Sequence, residues 1–232
     1  MYANIVVMET TSYFNKKSKQ WWHLWDCKHC SGSAEDKSTA TRDKILMAAF
    51  DEIYHRGFQA ASLNNILNKT DTTKGALYHH FKNKMELGYA VIDEVIYETI
   101  KVNWIEPLNQ TNDPIKTLQQ ILLHSGELMT QEDVSLGCPL NNLAQEMSPI
   151  DEGFRERISS VYRNWQEALV KACERGKLAG NIRTDVDSKQ HALLFVATLE
   201  GCLGFTKSTQ NLKTLMSCGQ GLMDQLDSLR PL

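Results

Sequence analysis

SLNNILNKTDTTKGALYHHFKNKMEL, residues 62–87, decides the fold. Ser62 is a good N-cap, and Leu63, Ile66 and Leu67 behind it share one face of a short helix. Thr70-Asp71-Thr72 is a polar turn. Thr73 can cap a second short helix that holds Leu77, Tyr78 and Phe81. Asn83 can cap a longer one, whose apolar face is Leu87, Val91, Val95 and Ile96. Two short helices across a tight polar turn, over about 62–81, form the helix-turn-helix layout. Neither is long enough to be stable alone. The helix that completes their core lies upstream. Ile45, Leu46, Ala49, Phe50, Ile53 and Tyr54 recur at helical spacing from a start near 38–41, and Gly57 suits its end.

The second short helix is suited to a DNA major groove. Its N-terminus carries free N–H groups and the positive end of the dipole. Thr72 and Thr73 bring hydroxyls, and Lys74 a charge able to reach guanine. Gly75 permits close approach, and the Ala76 methyl can meet a thymine methyl. Thr73, Lys74 and Ala76 are therefore expected at base edges. Tyr78, His79 and Lys84 are expected on phosphates, with Arg42 within reach of the same backbone and Ser62 opening the motif.

The stretch TRDKILMAAFDEIYHRGFQAASLNNILNKTDTTKGALYHHFKNKMEL (41–87) resembles the DNA-binding domain of the TetR (tetracycline-repressor)/AcrR family of transcriptional regulators. The most specific matches are Lys74, Gly75, Ala76, Leu77, Tyr78, His79, Phe81 and Lys84. Thr72 stands where an apolar residue is commoner, and His80 where tyrosine often sits. The resemblance covers about 50 residues. It implies a homodimeric repressor on a double-stranded DNA operator, with a C-terminal domain that dimerises and binds a small-molecule inducer. An inducer would tilt the helix that starts near Lys84 and so change the separation of two reading heads.

Charge agrees with a small module on a larger body. The chain has 232 residues and a net charge of −3. Residues 39–87 hold seven basic and five acidic residues, and 88–232 hold 13 basic and 19 acidic. A basic module on an acidic body is the footprint expected of a nucleic-acid binder. Residues 1–38 show no sustained period and are read as a disordered leader. They hold His23, Cys27, His29 and Cys30, a Cys-x-x-Cys that lacks the second ligand pair of a closed zinc site. No metal and no cofactor is expected. Six cysteines in a chain of this length do not make a disulfide scaffold. No apolar stretch is long enough to span a membrane, and no signal peptide is visible. The compartment is read as cytoplasm.

The chain thus reads as all-α: a leader (1–38), a helix-turn-helix DNA-binding domain (39–87), and a helical ligand-binding and dimerisation domain (88–232). The body offers four helical stripes near 88–104, 115–130, 137–147 and 154–175. They could enclose a pocket for which Trp104, Leu122, Ser125, Cys138, Asn142, Tyr162 and Trp165 are candidates. Residues 192–205, ALLFVATLEGCLGF, are apolar nearly all round and read as a helix buried on most sides. Its small residues Ala197, Gly201 and Gly204 permit a partner helix to approach, as in an intersubunit bundle with the 212–229 helix. Cys138, between Gly137 and Pro139 at a helix start, is open to reading as a low-pKa sensor thiol or as a packed core residue. Cys173, Cys202 and Cys218 read as packing residues. An enzyme is not expected: there is no phosphate-binding glycine loop, no His-Glu-x-x-His and no Gly-x-Ser-x-Gly. The alternatives are a cysteine-based redox or electrophile sensor of the same fold, and a DNA-binding factor with no inducer.

Overall fold

A computed structural model describes residues 34–231, with side chains from 38 onward. The leader, with its Cys-x-x-Cys, lies outside the described residues apart from its last turn. Ten helices follow one another: α1 (Ala34–Arg56), α2 (Leu63–Thr70), α3 (Lys74–His80), α4 (84–109), α5 (Pro114–Leu128), α6 (Gln131–Leu136), α7 (Pro139–Met147), α8 (Glu152–Leu178), α9 (Ser188–Thr209) and α10 (Leu212–Asp227). No strand occurs among the described residues.

The start of α1 is earlier than the expected 38–41. Ala34-Glu35-Asp36-Lys37 holds neither proline nor glycine to break a helix. The capping residues act as read. Ser62, Thr73 and Asn83 accept the backbone N–H of Asn65, Ala76 and Glu86, respectively. Asp71 ends α2 in the left-handed region, φ 51°, and its N–H bonds Leu67 O, a helix stop that Asp tolerates.

The three-helix core is Ile45, Leu46, Ala49, Phe50 and Ile53 from α1, Ile66 and Leu67 from α2, and Leu77 from α3. It continues without a gap into the body. The boundary expected at 87/88 falls inside α4, which runs unbroken from Lys84 to Asn109 and widens to π-turns at Val91–Ile96 and Lys101–Ile105. Such extra-residue turns let one helix rotate its face between two different neighbours. Gly88 sits where the two parts meet. A Cβ there would lie 2.5 Å from Phe58 and 2.7 Å from Phe154.

The body is a helical stack around α8. Phe154, Ile158, Val161, Trp165, Leu169 and Ala172 are all buried, as their spacing predicts. The short helix α6 was not foreseen. It is held by a reciprocal cap in which Thr130 and Asp133 each accept the other's backbone N–H. Helix α9 differs from the sequence reading. His191, Ala192, Phe195, Val196, Leu199, Leu203 and Thr206 are buried, but Leu193, Leu194, Ala197, Gly201, Gly204 and Phe205 are exposed. An apolar helix is buried only as far as neighbours exist to cover it, and within one chain α9 has them on one side.

Candidate nucleic-acid interface

The reading head is α3 and the turn before it. Thr73, Lys74, Gly75, Tyr78 and His79 are exposed, Ala76 is half-buried, and Leu77 anchors the helix from beneath. Lys74 makes no ion pair or hydrogen bond among the described residues, so its ammonium is available to an anion. A shallow cleft lined by Ser62, Leu63, Asn64, Leu67, Lys74, Leu77 and Tyr78 separates α2 from α3.

Not every expected contact residue is free. Thr72 is half-buried, with its hydroxyl 2.6 Å from that of Thr70. Thr73 Oγ1 is occupied as an acceptor by Ala76 N–H at 3.1 Å but keeps its own proton to donate. Ser62 is half-buried and spent on capping. The Lys84 ammonium donates to Gln59 O at 3.0 Å and lies 4.9 Å from the Phe58 ring centroid. Burial holds its pKa below the usual lysine range.

Arg42 differs most from expectation. Both terminal nitrogens lie 2.6 Å from the Glu94 carboxylate, and the guanidinium sits over Phe81 at 5.0 Å. A fork paired this way is geometrically committed. The Glu94 bond is the main cause raising the Arg42 pKa. Arg42 therefore clamps α1 to α4. It is held by an acid 52 residues away, which no local pattern announces.

Two further acids organise the head. Glu52 is buried on α1, accepting from Asn65 Nδ2 at 2.8 Å and Ser62 N at 3.3 Å, with Arg56 and Lys69 nearby. Burial pushes its pKa up, but these donors and cations outweigh it and the net shift is downward. A carboxylate at i+3 from Ala49, on the apolar face of α1, was the available signal. Glu146 of α7 accepts the N–H groups of Phe58 and Gln59, both at 2.8 Å. With Gly57 at φ 79°, it pins the α1–α2 loop to the body. Tyr54 donates to Gly137 O at 2.7 Å, and His55 Nε2 lies 3.0 Å from Glu132. The head thus rests on α6 and α7 as well as on α4.

The candidate effector residues divide. Trp104, Leu122 and Ser125 line an apolar cavity of about 420 Å³, walled by α5, α9 and α10. Cys138, Asn142, Tyr162 and Trp165 do not line it. Trp165 packs behind Trp104, ring centroids 5.0 Å apart. Asn142 bonds Lys207 and Leu136 O. Tyr162 is half-buried near Glu200, and burial raises its pKa. The wall that sequence reasoning missed is α10: Leu215, Met216 and Leu222.

Cys138 is not a poised thiolate. It is buried, donates to Glu200 Oε1 at 3.4 Å, and burial followed by the Glu200 charge pushes its pKa well up. Helix-end stabilisation is overridden by desolvation beside an acid. Glu200 is itself buried, its second oxygen has no partner, and burial raises its pKa to about 7. The described residues hold no cluster of three or more His, Cys, Asp or Glu able to take a metal, and no helix long and apolar enough to cross a membrane.

Comparison with known proteins places this geometry. Residues 45–91 match the family described as bacterial regulatory proteins, tetR family, and 114–217 match a tetracyclin repressor-like C-terminal domain. An uncharacterised HTH-type transcriptional regulator in the lacX 3′ region of Lactococcus lactis subsp. lactis is 32% identical over 179 residues, covering 76% of this chain and 88% of the relative. The transcriptional regulator AcuR of Cereibacter sphaeroides is 26% identical, covering 73% and 77%. A TetR transcriptional regulator from Chloroflexus aurantiacus superposes with a TM-score of 0.71 at 24% identity, over 82% of this chain and 96% of the other. The reduced form of NemR from E. coli gives 0.70 at 20% identity, over 82% and 96%. The chain therefore belongs to the tetR family of bacterial transcription regulators, which are DNA-binding proteins and not enzymes.

Proposed function

We propose that the protein is a homodimeric repressor that leaves its operator when a small, largely apolar molecule occupies the cavity between α5, α9 and α10. The cavity carries the ligand half of this reading. Its wall is Trp, Leu, Met and Cys side chains with Ser125, Glu127 and Gln220 as polar exceptions, the composition of an effector pocket. Trp104, at the far end of α4 from the reading head, forms part of that wall. A ligand that displaces Trp104 would move α4, and Arg42–Glu94 would carry the displacement to α1. The ligand shifts the equilibrium only by its differential affinity for the two arrangements.

The dimer half rests on the open face of α9. Leu193, Leu194 and Phe205 are 53%, 48% and 62% exposed, and with Ala197, Gly201 and Gly204 they form a stripe at helical spacing. Such a continuous apolar face calls for a partner. Met216 on α10, 68% exposed, extends it. A second copy packed through α9 and α10 would present two α3 helices to successive major grooves of a pseudo-palindromic site. As a soluble regulator of DNA, the protein would act in the cytoplasm.

Selection of operators from random DNA tests the reading. The expected product is an inverted repeat bound by two chains. Thermal-shift screening of small aromatic and aliphatic compounds, followed by binding assays on that operator, should yield a compound that stabilises the protein and weakens the complex. If every compound that binds leaves operator affinity unchanged, the inducer mechanism is wrong. That result would favour a DNA-binding factor without an inducer.

A further inference from the structure

Helices α9 and α10 are antiparallel neighbours joined at Gln210-Asn211. Cys202 lies eight residues before Gln210 and Cys218 eight after it. At 1.5 Å rise per residue both stand about 12 Å from the turn, so the register sets them opposite each other. The structure agrees: the Cys218 thiol lies near enough to Cys202 to perturb it, both are half-buried, and both line the apolar cavity. Each is a free cysteine.

We propose that Cys202 and Cys218 form a redox switch: a dithiol that hydrogen peroxide closes to an intrachain disulfide, pinning α9 to α10 across the cavity. The chemistry balances. The Cys218 sulfur attacks one peroxide oxygen; an S–O bond forms, the O–O bond breaks and water leaves after protonation. The Cys202 sulfur then attacks the sulfenic sulfur; the S–S bond forms, the S–O bond breaks and the Cys202 proton leaves with the second water. Two thiols lose two electrons in all, and one peroxide becomes two waters. Burial and the Cys218 neighbour push the Cys202 thiol up to about 12, which suits it to the second step rather than the first. Facing helices can meet the 5.5–6 Å or so between Cα atoms that a disulfide prefers. Because the bond would lie in the cavity wall and fix the helix whose other face is open, it would act on ligand and partner alike. The DNA consequence rests on the repressor reading above; the bond itself does not.

Peptide mapping of the full-length protein after peroxide treatment, without reductant, tests the switch. The expected result is a linked pair of tryptic peptides, 190–207 and 214–232, in a chain that migrates as a monomer on a denaturing gel. Cys202→Ser and Cys218→Ser should each abolish that pair and leave Cys138 a free thiol. Operator affinity should shift about tenfold on oxidation of the wild type, an ordinary allosteric coupling, and not in either variant. Recovery of both cysteines as free thiols, as separate oxyacids, or linked between two chains overturns the dithiol. A linked chain with unchanged operator affinity overturns the switch. A reduced chain that binds no selected DNA sinks the repressor reading and leaves the linkage result standing.

Discussion

Lys74 and Arg42 show how much one ion pair matters to a site. Both were candidates for DNA contact, and both are cations on or beside the helix-turn-helix. Lys74 is exposed and uncommitted, while Arg42 is forked onto Glu94. Lys74→Ala is expected to weaken operator binding by about 1–3 kcal/mol per half-site if it reads a base. If it holds a phosphate, the salt slope should fall by about 0.9 per subunit instead. Arg42→Ala should leave the salt slope unchanged and lower the melting temperature. Titration of each variant across a salt series separates these outcomes, and an unchanged Lys74→Ala would remove α3 from the contact surface. Glu200 makes a different residue-scale prediction. Its folded pKa, about 7, lies above that of an unfolded glutamate. The folded carboxyl therefore stays protonated where the unfolded one ionises. The Glu200 contribution to stability is full below about pH 4.5 and falls as pH rises towards 7, by up to about 3 kcal/mol. Glu200→Gln should flatten that slope and be the more stable protein at pH 7.5. Denaturant titrations at pH 5 and 7.5 would measure it; an equal slope in both proteins refutes the assignment.

Among the elements, α4 matters most, because it belongs to both domains. Its N-terminal turn completes the DNA-binding core through Leu87, and Trp104 reaches the cavity. Between them, Gly88 leaves room for Phe58 and Phe154, whose rings lie 4.6 Å apart. Gly88→Ala puts a methyl within about 2.5–2.7 Å of both rings. The overpacking should cost about 1–3 kcal/mol. A melt reads the loss, and operator binding at low temperature reads whether the head still docks correctly. A variant as stable as wild type would mean that the joint is looser than its packing implies. The helix-turn-helix could be read from residue order because its caps, turn and apolar positions lie within a few residues of one another. The π-turns of α4 could not, since they answer to which neighbours α4 meets on each side.

At the scale of the whole molecule, the open question is the second chain. Gly201 lies on the exposed stripe of α9, and a side chain there would meet nothing within 4 Å in its own chain. Gly201→Leu thus leaves the monomer's packing alone and loads any cost on the partner. Overpacking of about 1–3 kcal/mol is expected at the interface. Sedimentation should show the variant dissociating at higher concentration than wild type, with an unchanged circular-dichroism spectrum. A dimer of undiminished affinity would put the interface elsewhere. What the sequence determined by itself is local or periodic: nine of the ten helices, the caps at Ser62, Thr73 and Asn83, the all-α class, the exposed residues of α3, and the membership that residues 74–84 announced. What only the tertiary structure decided is long-range. It paired Arg42 with Glu94 and Glu146 with the α1–α2 loop, buried Cys138 under Glu200, opened one face of α9, and moved the pocket towards α10. The reason is physical. Helix propensity, capping and amphipathic period act over one or two turns, so the chain order carries them. Burial, pKa and the commitment of a charge depend on which distant side chains arrive, and those are known only once the helices have packed.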